Sequence, residues 1–175
     1  MSGPRTGANS HMQAPQADAP PPGQTGDINQ FLTFTLGAEE YGIDILKVQE
    51  IKGYSAITHI PNAPVHVKGV MNLRGTVVPV VDLRAKFGME AVEYGKFTVI
   101  IVVMLGQKIA GLVVDAVSDV LNIAGKDVRP APDFGSRSDT RFISGVVSIG
   151  DKLAVLVDID KLLTEEEVAA TAGIN

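Results

Sequence analysis

The sequence predicts an all-β protein, two small β-barrels packed on each other with a short C-terminal helix, from three observations. The apolar share is 45% while aromatics are only 5% and Trp is absent, so the core must be built from Val, Ile and Leu, residues that favour strands. These residues fall in short runs separated by Gly-containing turns. The chain also matches itself at two offsets, so two similar units of about 65 residues are expected, each too small to bury much core alone.

In chain order, residues 1–29 are rich in Pro, Gly, Ala and Gln with almost no large apolar side chain, and read as a disordered tail. The His11-Met12 junction marks residues 1–11 as vector-derived. From Gln30, Phe31 to Leu36 alternate as a half-buried strand, Gly37 to Glu40 read as a turn, and Tyr41 to Ile45 as the returning strand. Val48 to Ile51 fit a helical turn or a strand end equally well. Residues Ile60 to Pro64 form a proline-marked loop, and Val67 to Asn72 pair with Val77 to Val81 across a turn at Leu73-Arg74-Gly75. Pro79 points to an edge position or a bulge in that hairpin. Thr98 to Leu105, Lys108 to Val114 and Ala154 to Ile159 are further strands. Leu83 to Phe87 read as one helical turn closed by Gly88, residues 160–168 as the C-terminal helix, and 168–175 as a flexible end.

The duplication is explicit. Lys68-Gly69-Val70-Met71-Asn72-Leu73 resembles Ser144-Gly145-Val146-Val147-Ser148-Ile149 at an offset of 76, and Val80-Val81-Asp82-Leu83 meets Leu156-Val157-Asp158-Ile159 in the same register. Leu36-Gly37 and Gly42-Ile43 match Leu105-Gly106 and Gly111-Leu112 at an offset of 69, as do Val48, Glu50 and Ile51 with Val117, Asp119 and Val120. The offset change implies about seven extra residues in the second copy, placed in a longer loop at Ala131 to Ser138. Val48, Ile51, Val117 and Val120 occupy matching places, which suggests a groove around a pseudo-twofold axis.

Chemistry is not legible. His59 and His66 have no second His at ligand spacing and Cys is absent, so no metal site or disulfide is expected and both histidines read as structural or solvent-facing. There is no Gly-x-Ser-x-Gly elbow and no phosphate loop around Gly106-Gln107-Lys108. Asp115 with Asp119, and Asp158 with Asp160, read as solvated turn residues, whereas the matched Asp82 and Asp158 suit caps of a following turn. Fifteen Lys and Arg against 20 Asp and Glu give a net charge of -5, which disfavours nucleic acid. No apolar run approaches the ~20 residues of a membrane span.

The run Tyr41-Gly42-Ile43-Asp44-Ile45-Leu46-Lys47-Val48-Gln49-Glu50-Ile51 resembles the signature of the CheW family. So do Asn72-Leu73-Arg74-Gly75 through Pro79-Val80-Val81-Asp82-Leu83-Arg84, and Gly111 to Asp115 with Val117 to Leu121. The resemblance covers about Phe31 to Glu167. It implies a CheW-like domain over 30–167, made of two intertwined or packed SH3-like five-stranded β-barrel subdomains. It further implies a non-enzymatic, cofactor-free adaptor, cytoplasmic and held at inner-membrane receptor arrays through its partners. Those partners would be methyl-accepting chemotaxis receptors, at their cytoplasmic tips, and the regulatory domain of the histidine kinase CheA. Carried over residue by residue, receptor binding falls on Val48, Arg74, Val99, Val117 and Val120, and kinase binding on Ile45 and Glu50. Other uses of the same architecture are a regulatory domain of a larger CheA or CheV protein, or a small β-barrel ligand binder.

Overall fold

The computed structural model describes residues 28–55, 57–131, 141–164 and 167. Ten strands form two five-stranded sheets. The first repeat supplies β1 (Ile28–Leu36), β2 (Glu39–Asp44), β3 (Val48–Gly53), β4 (Val67–Leu73), β5 (Thr76–Asp82) and the one-turn helix α1 (Leu83–Lys86). The second supplies β6 (Val99–Leu105), β7 (Lys108–Val114), β8 (Ala116–Ala124), β9 (Ile143–Ile149), β10 (Lys152–Val157) and α2 (Ile159–Leu162).

The sheets are not the repeats. One sheet has the order β8-β1-β2-β10-β9 and the other β3-β6-β7-β5-β4, so each repeat has given its first hairpin to the strands of the other. Replacing every strand by its equivalent five places on converts one order into the other, which is the pseudo-twofold relation implied by the two offsets. The exchange is sealed by two parallel ladders between repeats: β2 with β10, where Gly42 faces Leu156, and β5 with β7, where Val80 faces Gly111. Each sheet also bends so that the chain beyond one edge strand reaches the other edge. Thr58 bridges Val70 and Arg129 bridges Val146, equivalent contacts in the two repeats. The two five-stranded sheets are the all-β architecture expected from the sequence, and their edges meet through these single bridges.

Two glycines permit those bridges. A Cβ on Gly69 would collide with the carbonyl oxygen of Thr58, and one on Gly145 with the side chain of Val128, with the Arg129 carbonyl oxygen 2.9 Å away. The caps repeat as well. Asp82 accepts from the Arg84 N–H at 3.0 Å and Asp158 from the Asp160 N–H at 3.0 Å, so the matched aspartates open α1 and α2.

Burial on both faces explains why β6 is continuously apolar. Ile101 and Val103 enter a core shared by both sheets, with Phe34, Ile43 and Leu112, while Ile100 and Val102 face a second core lined by Met71, Val78 and Val80. The matching core of the other sheet is smaller, built on Ile123, Val147, Ala154 and Leu156.

Several sequence expectations are corrected. β1 includes Ile28 and Asn29, whose partners on β8 are Ala124 and Ile123, so the strand starts inside the expected tail. β8 itself was not anticipated, because Ser118 and Asp119 interrupt its apolar pattern. Val48 to Ile51, for which a helical turn and a strand end fitted equally, lie in the strand β3. Of the two alternatives for Pro79 the edge is wrong, since its strand is flanked by β4 and β7, while the hairpin does carry a register shift between Val67 and Gly69; Pro79 itself faces Val70, which spends its own N–H and C=O on Thr58 at 2.8 Å each, so no β4 bond needs a proline donor. The expected helix over 160–168 is interrupted: α2 ends at Leu162, Leu163 is extended at φ -94° and ψ 132°, Glu167 is again helical, and 165, 166 and 168 lie outside the described residues. The expected long loop at Ala131 to Ser138, apart from Ala131, lies outside the described residues, as do 168–175 and residues 1–27 of the expected tail.

Candidate partner-binding rim

The β4–β5 hairpin turns on two residues, Arg74 at φ 49° and Gly75 at φ 89°. Positive φ at both central positions is the turn geometry that suits twisted strands, and it disfavours any residue with a Cβ. The other three two-residue hairpins place glycine at the first turn position: Gly37, Gly106 and Gly150, at φ 63°, 64° and 60°. Here an arginine occupies it. Asn72 Oδ1 braces the turn by accepting from the Gly75 N–H at 2.8 Å.

The Arg74 guanidinium reaches back to β3 as a fork. Nη2 donates to Glu50 Oε1 at 2.7 Å and Nη1 to Oε2 at 3.1 Å. The Arg74 side chain remains 69% exposed and that of Glu50 24%. Hydrogen bonding from Arg74 holds the Glu50 carboxyl below the usual carboxylate range. Since β3 and β4 are opposite edges of one sheet, the pair spans its open side.

The remaining predicted residues fall on both sheets: Val48 and Val99 share the sheet of this pair, while Val117 and Val120 lie on β8 of the other. Val48 pairs with Val103, and Val99 with Gly53 and Val114; Val117 faces Phe34 and Val120 faces Leu32. Ile45 lies in a 3-10 turn over Ile45–Lys47, capped by Asp44, whose side chain accepts from the Leu46 N–H at 2.9 Å. Ile45, Val48, Val99 and Val117 are all half-buried against the core shared by the two sheets. Ile51 and Val120 stand outside it, each 44% exposed. Along β3 the exposure alternates, so Val48 and Glu50 are the sheltered positions and Ile51 points the other way. Arg74 and Glu50, which the resemblance assigned to different partners, form one ion pair.

Two ion pairs that sequence reasoning missed tie the exchanged elements together. Arg84 on α1 binds Asp115, between β7 and β8, through Nε to Oδ1 at 2.8 Å and Nη2 to Oδ2 at 2.7 Å; Asp115 also accepts from the Gly37 N–H at 2.8 Å. Asp115 is thus a structural anchor, not a solvated turn residue, and hydrogen bonding from Arg84 holds its carboxyl below the usual range. At an offset of 76 Arg84 becomes Asp160, and Asp160 on α2 binds Lys47, between β2 and β3, at 2.9 Å. A similar joint thus ties each one-turn helix to the other repeat with the charges reversed, although the counterpart of Asp115 at the offset of 69 is Leu46, next to Lys47.

Among the described residues no group of three or more His, Cys, Asp or Glu side chains could hold a metal ion. The Arg74–Glu50 pair is an oriented charge pair open to solvent, which suits recognition of another surface.

Residues 30–167 match the CheW-like domain family. The chain is 53% identical over 145 residues to the chemotaxis protein CheW of Klebsiella aerogenes, which spans 83% of this chain and 87% of that protein. It is 40% identical over 138 residues to the chemotaxis protein CheW of Rhizobium meliloti, spanning 79% and 89%. The solved scaffolding protein TtCheW from Thermoanaerobacter tengcongensis is similar in fold, with a TM-score of 0.73 and 34% identity over 81% of this chain and 97% of that one.

Proposed function

The chain belongs to the CheW family, and on that premise we propose that it is a non-enzymatic chemotaxis scaffold coupling methyl-accepting receptors to the histidine kinase CheA. The observation that supports this most is an arginine held at a turn position that favours glycine, with its guanidinium oriented by Glu50 and still largely open to solvent. A long exposed ion pair adds little to folding, so the conformation is better accounted for by what Arg74 presents outward.

The receptor tip docks along the half-buried margin of Val48, Val99 and Val117, with Val120 at its outer side and Arg74 fixing the register. An amphipathic helix recognises such a margin by its apolar stripe, and a rim charge sets its orientation. The kinase regulatory domain takes the neighbouring surface of Ile45 and Glu50. Because Glu50 also orients Arg74, occupancy of one surface is felt at the other through this single pair. Among the described residues no helix is long and apolar enough to cross a membrane. In this reading the protein is cytoplasmic and is held at inner-membrane arrays through the receptors.

The test is a pull-down with receptor signalling fragments. Arg74→Glu loses receptor binding while its thermal unfolding matches the parent; retained binding would defeat the assignment. Val117→Asp separates rim from core: selective loss of binding places the valine at the docking margin, and unfolding places it in the core.

A further inference from the structure

The two-residue hairpins make their turns in two ways. Those opening on Gly37, Gly106 and Gly150 have positive φ at the first turn position, where glycine sits, and not at the second, where Ala38, Gln107 and Asp151 sit. The β4–β5 turn has positive φ at both positions and gives its glycine to the second, Gly75 at φ 89°. Arg74 is left in the left-handed region at φ 49°, a condition that among the other described non-glycine residues only Asn62 shares.

Nothing local to arginine favours that backbone, because its Cβ opposes it. An Arg-Gly pair also has a turn free of the conflict, with the first residue at φ of about -60° and the glycine alone positive. The side chain that holds the observed form is Asn72, whose Oδ1 accepts from the Gly75 N–H at 2.8 Å. Since the peptide unit is planar, that bond fixes the orientation of the whole link between Arg74 and Gly75.

The other hairpins support the connection. At an offset of 76 Asn72 becomes Ser148 and Arg74 becomes Gly150. A side chain accepting from the second turn residue occurs, among the described residues, only in the hairpin whose first turn position is not glycine. Asn72 is exposed, and its neighbours Met71 and Leu73 supply the core of that strand, so the brace serves the turn and not the packing. The guanidinium reaches Glu50 from this backbone geometry. A fall of Arg74 to negative φ would redirect its Cα–Cβ bond and carry the guanidinium away from Glu50.

We propose that Asn72 is a positioning residue for partner recognition: its amide oxygen holds the Arg74–Gly75 peptide in the turn that sets Arg74 against Glu50, and the receptor binds Arg74 in that conformation. The inference rests on the reading that Arg74 contacts the receptor and concerns the residue that places it there.

The test compares Asn72→Ala, Asn72→Asp and Arg74→Ala in the full chain. Two quantities are measured on protein shown by thermal unfolding to be fully folded, where a role in stability alone would move neither. One is affinity for receptor signalling fragments; the other is the NMR coupling between the Arg74 amide and α protons, which reports its φ. Asn72→Ala weakens binding about tenfold and shifts the coupling, although Arg74 and Glu50 are both present. Asn72→Asp keeps an acceptor in the same place and brings both back to the values of the parent. Parent-like binding by Asn72→Ala, with binding lost in Arg74→Ala, would overturn the proposal and leave the reading of Arg74 standing. Retained binding by Arg74→Ala would remove that reading and this inference with it. Equal loss in both Asn72 variants with the coupling unchanged would make Asn72 a direct contact and overturn its positioning role.

Discussion

The two ends of the pseudo-symmetric molecule differ most where the β4–β5 hairpin is compared with β9–β10. Both hairpins share the bridge, the close-packed glycine and the aspartate cap. At the turn, Arg74 of the first corresponds to Gly150 of the second, and Glu50 corresponds to Asp119, which bonds within its own sheet: its N–H and C=O meet Thr33 Oγ1 at 3.0 and 3.1 Å. The features needed to fold occur twice. The forked ion pair across the open side of a sheet occurs once among the described residues, and it uses a backbone conformation that its counterpart gives to glycine.

The comparison can be broken first at its shared features. Gly69→Ala forces a Cβ onto a backbone carbonyl and is expected to lower unfolding free energy by about 3 kcal/mol in a denaturant titration. Gly145→Ala, whose nearest obstacle is the Val128 side chain, is expected to cost about 2 kcal/mol. The charge-reversed joints come next. Arg84→Ala removes a fork to Asp115 and should cost about 1 to 2 kcal/mol, discounted for the solvent on one side. Lys47→Ala breaks an exposed pair and should stay within about 0.5 kcal/mol. Since the Asp115 carboxyl is held low, its contribution is present above the ordinary aspartate range and is lost as pH falls through the lowered value. The stability curves of parent and Arg84→Ala should therefore converge on acidification; parallel curves would show that Arg84 acts through packing instead.

The repeats were legible because Gly37 and Gly106, Gly69 and Gly145, and Asp82 and Asp158 mark positions whose backbone demands are local. The exchange of hairpins was not, since an offset tells which segments are equivalent and not which copy they pair with. That choice is made in the tertiary structure by the parallel ladders of β2 with β10 and β5 with β7. Asp115 was misread for the same reason: its partner Arg84 lies 31 residues away on the other repeat. At the rim, the chain order of Arg74 and Glu50 carried no sign that they touch, because they sit on opposite edges of one sheet. The positive φ of Arg74 was hidden too, as the Arg-Gly dipeptide fits several turns.

The central claim is that Arg74 is kept at a glycine position for recognition and not for folding. The most direct measurement replaces it by the residue its counterpart has. Arg74→Gly should fold with unchanged cooperativity and relieve the turn. In a reconstitution with receptor signalling fragments and CheA it should fail to support ternary complex formation or kinase autophosphorylation. Full coupling by the folded variant would contradict the account.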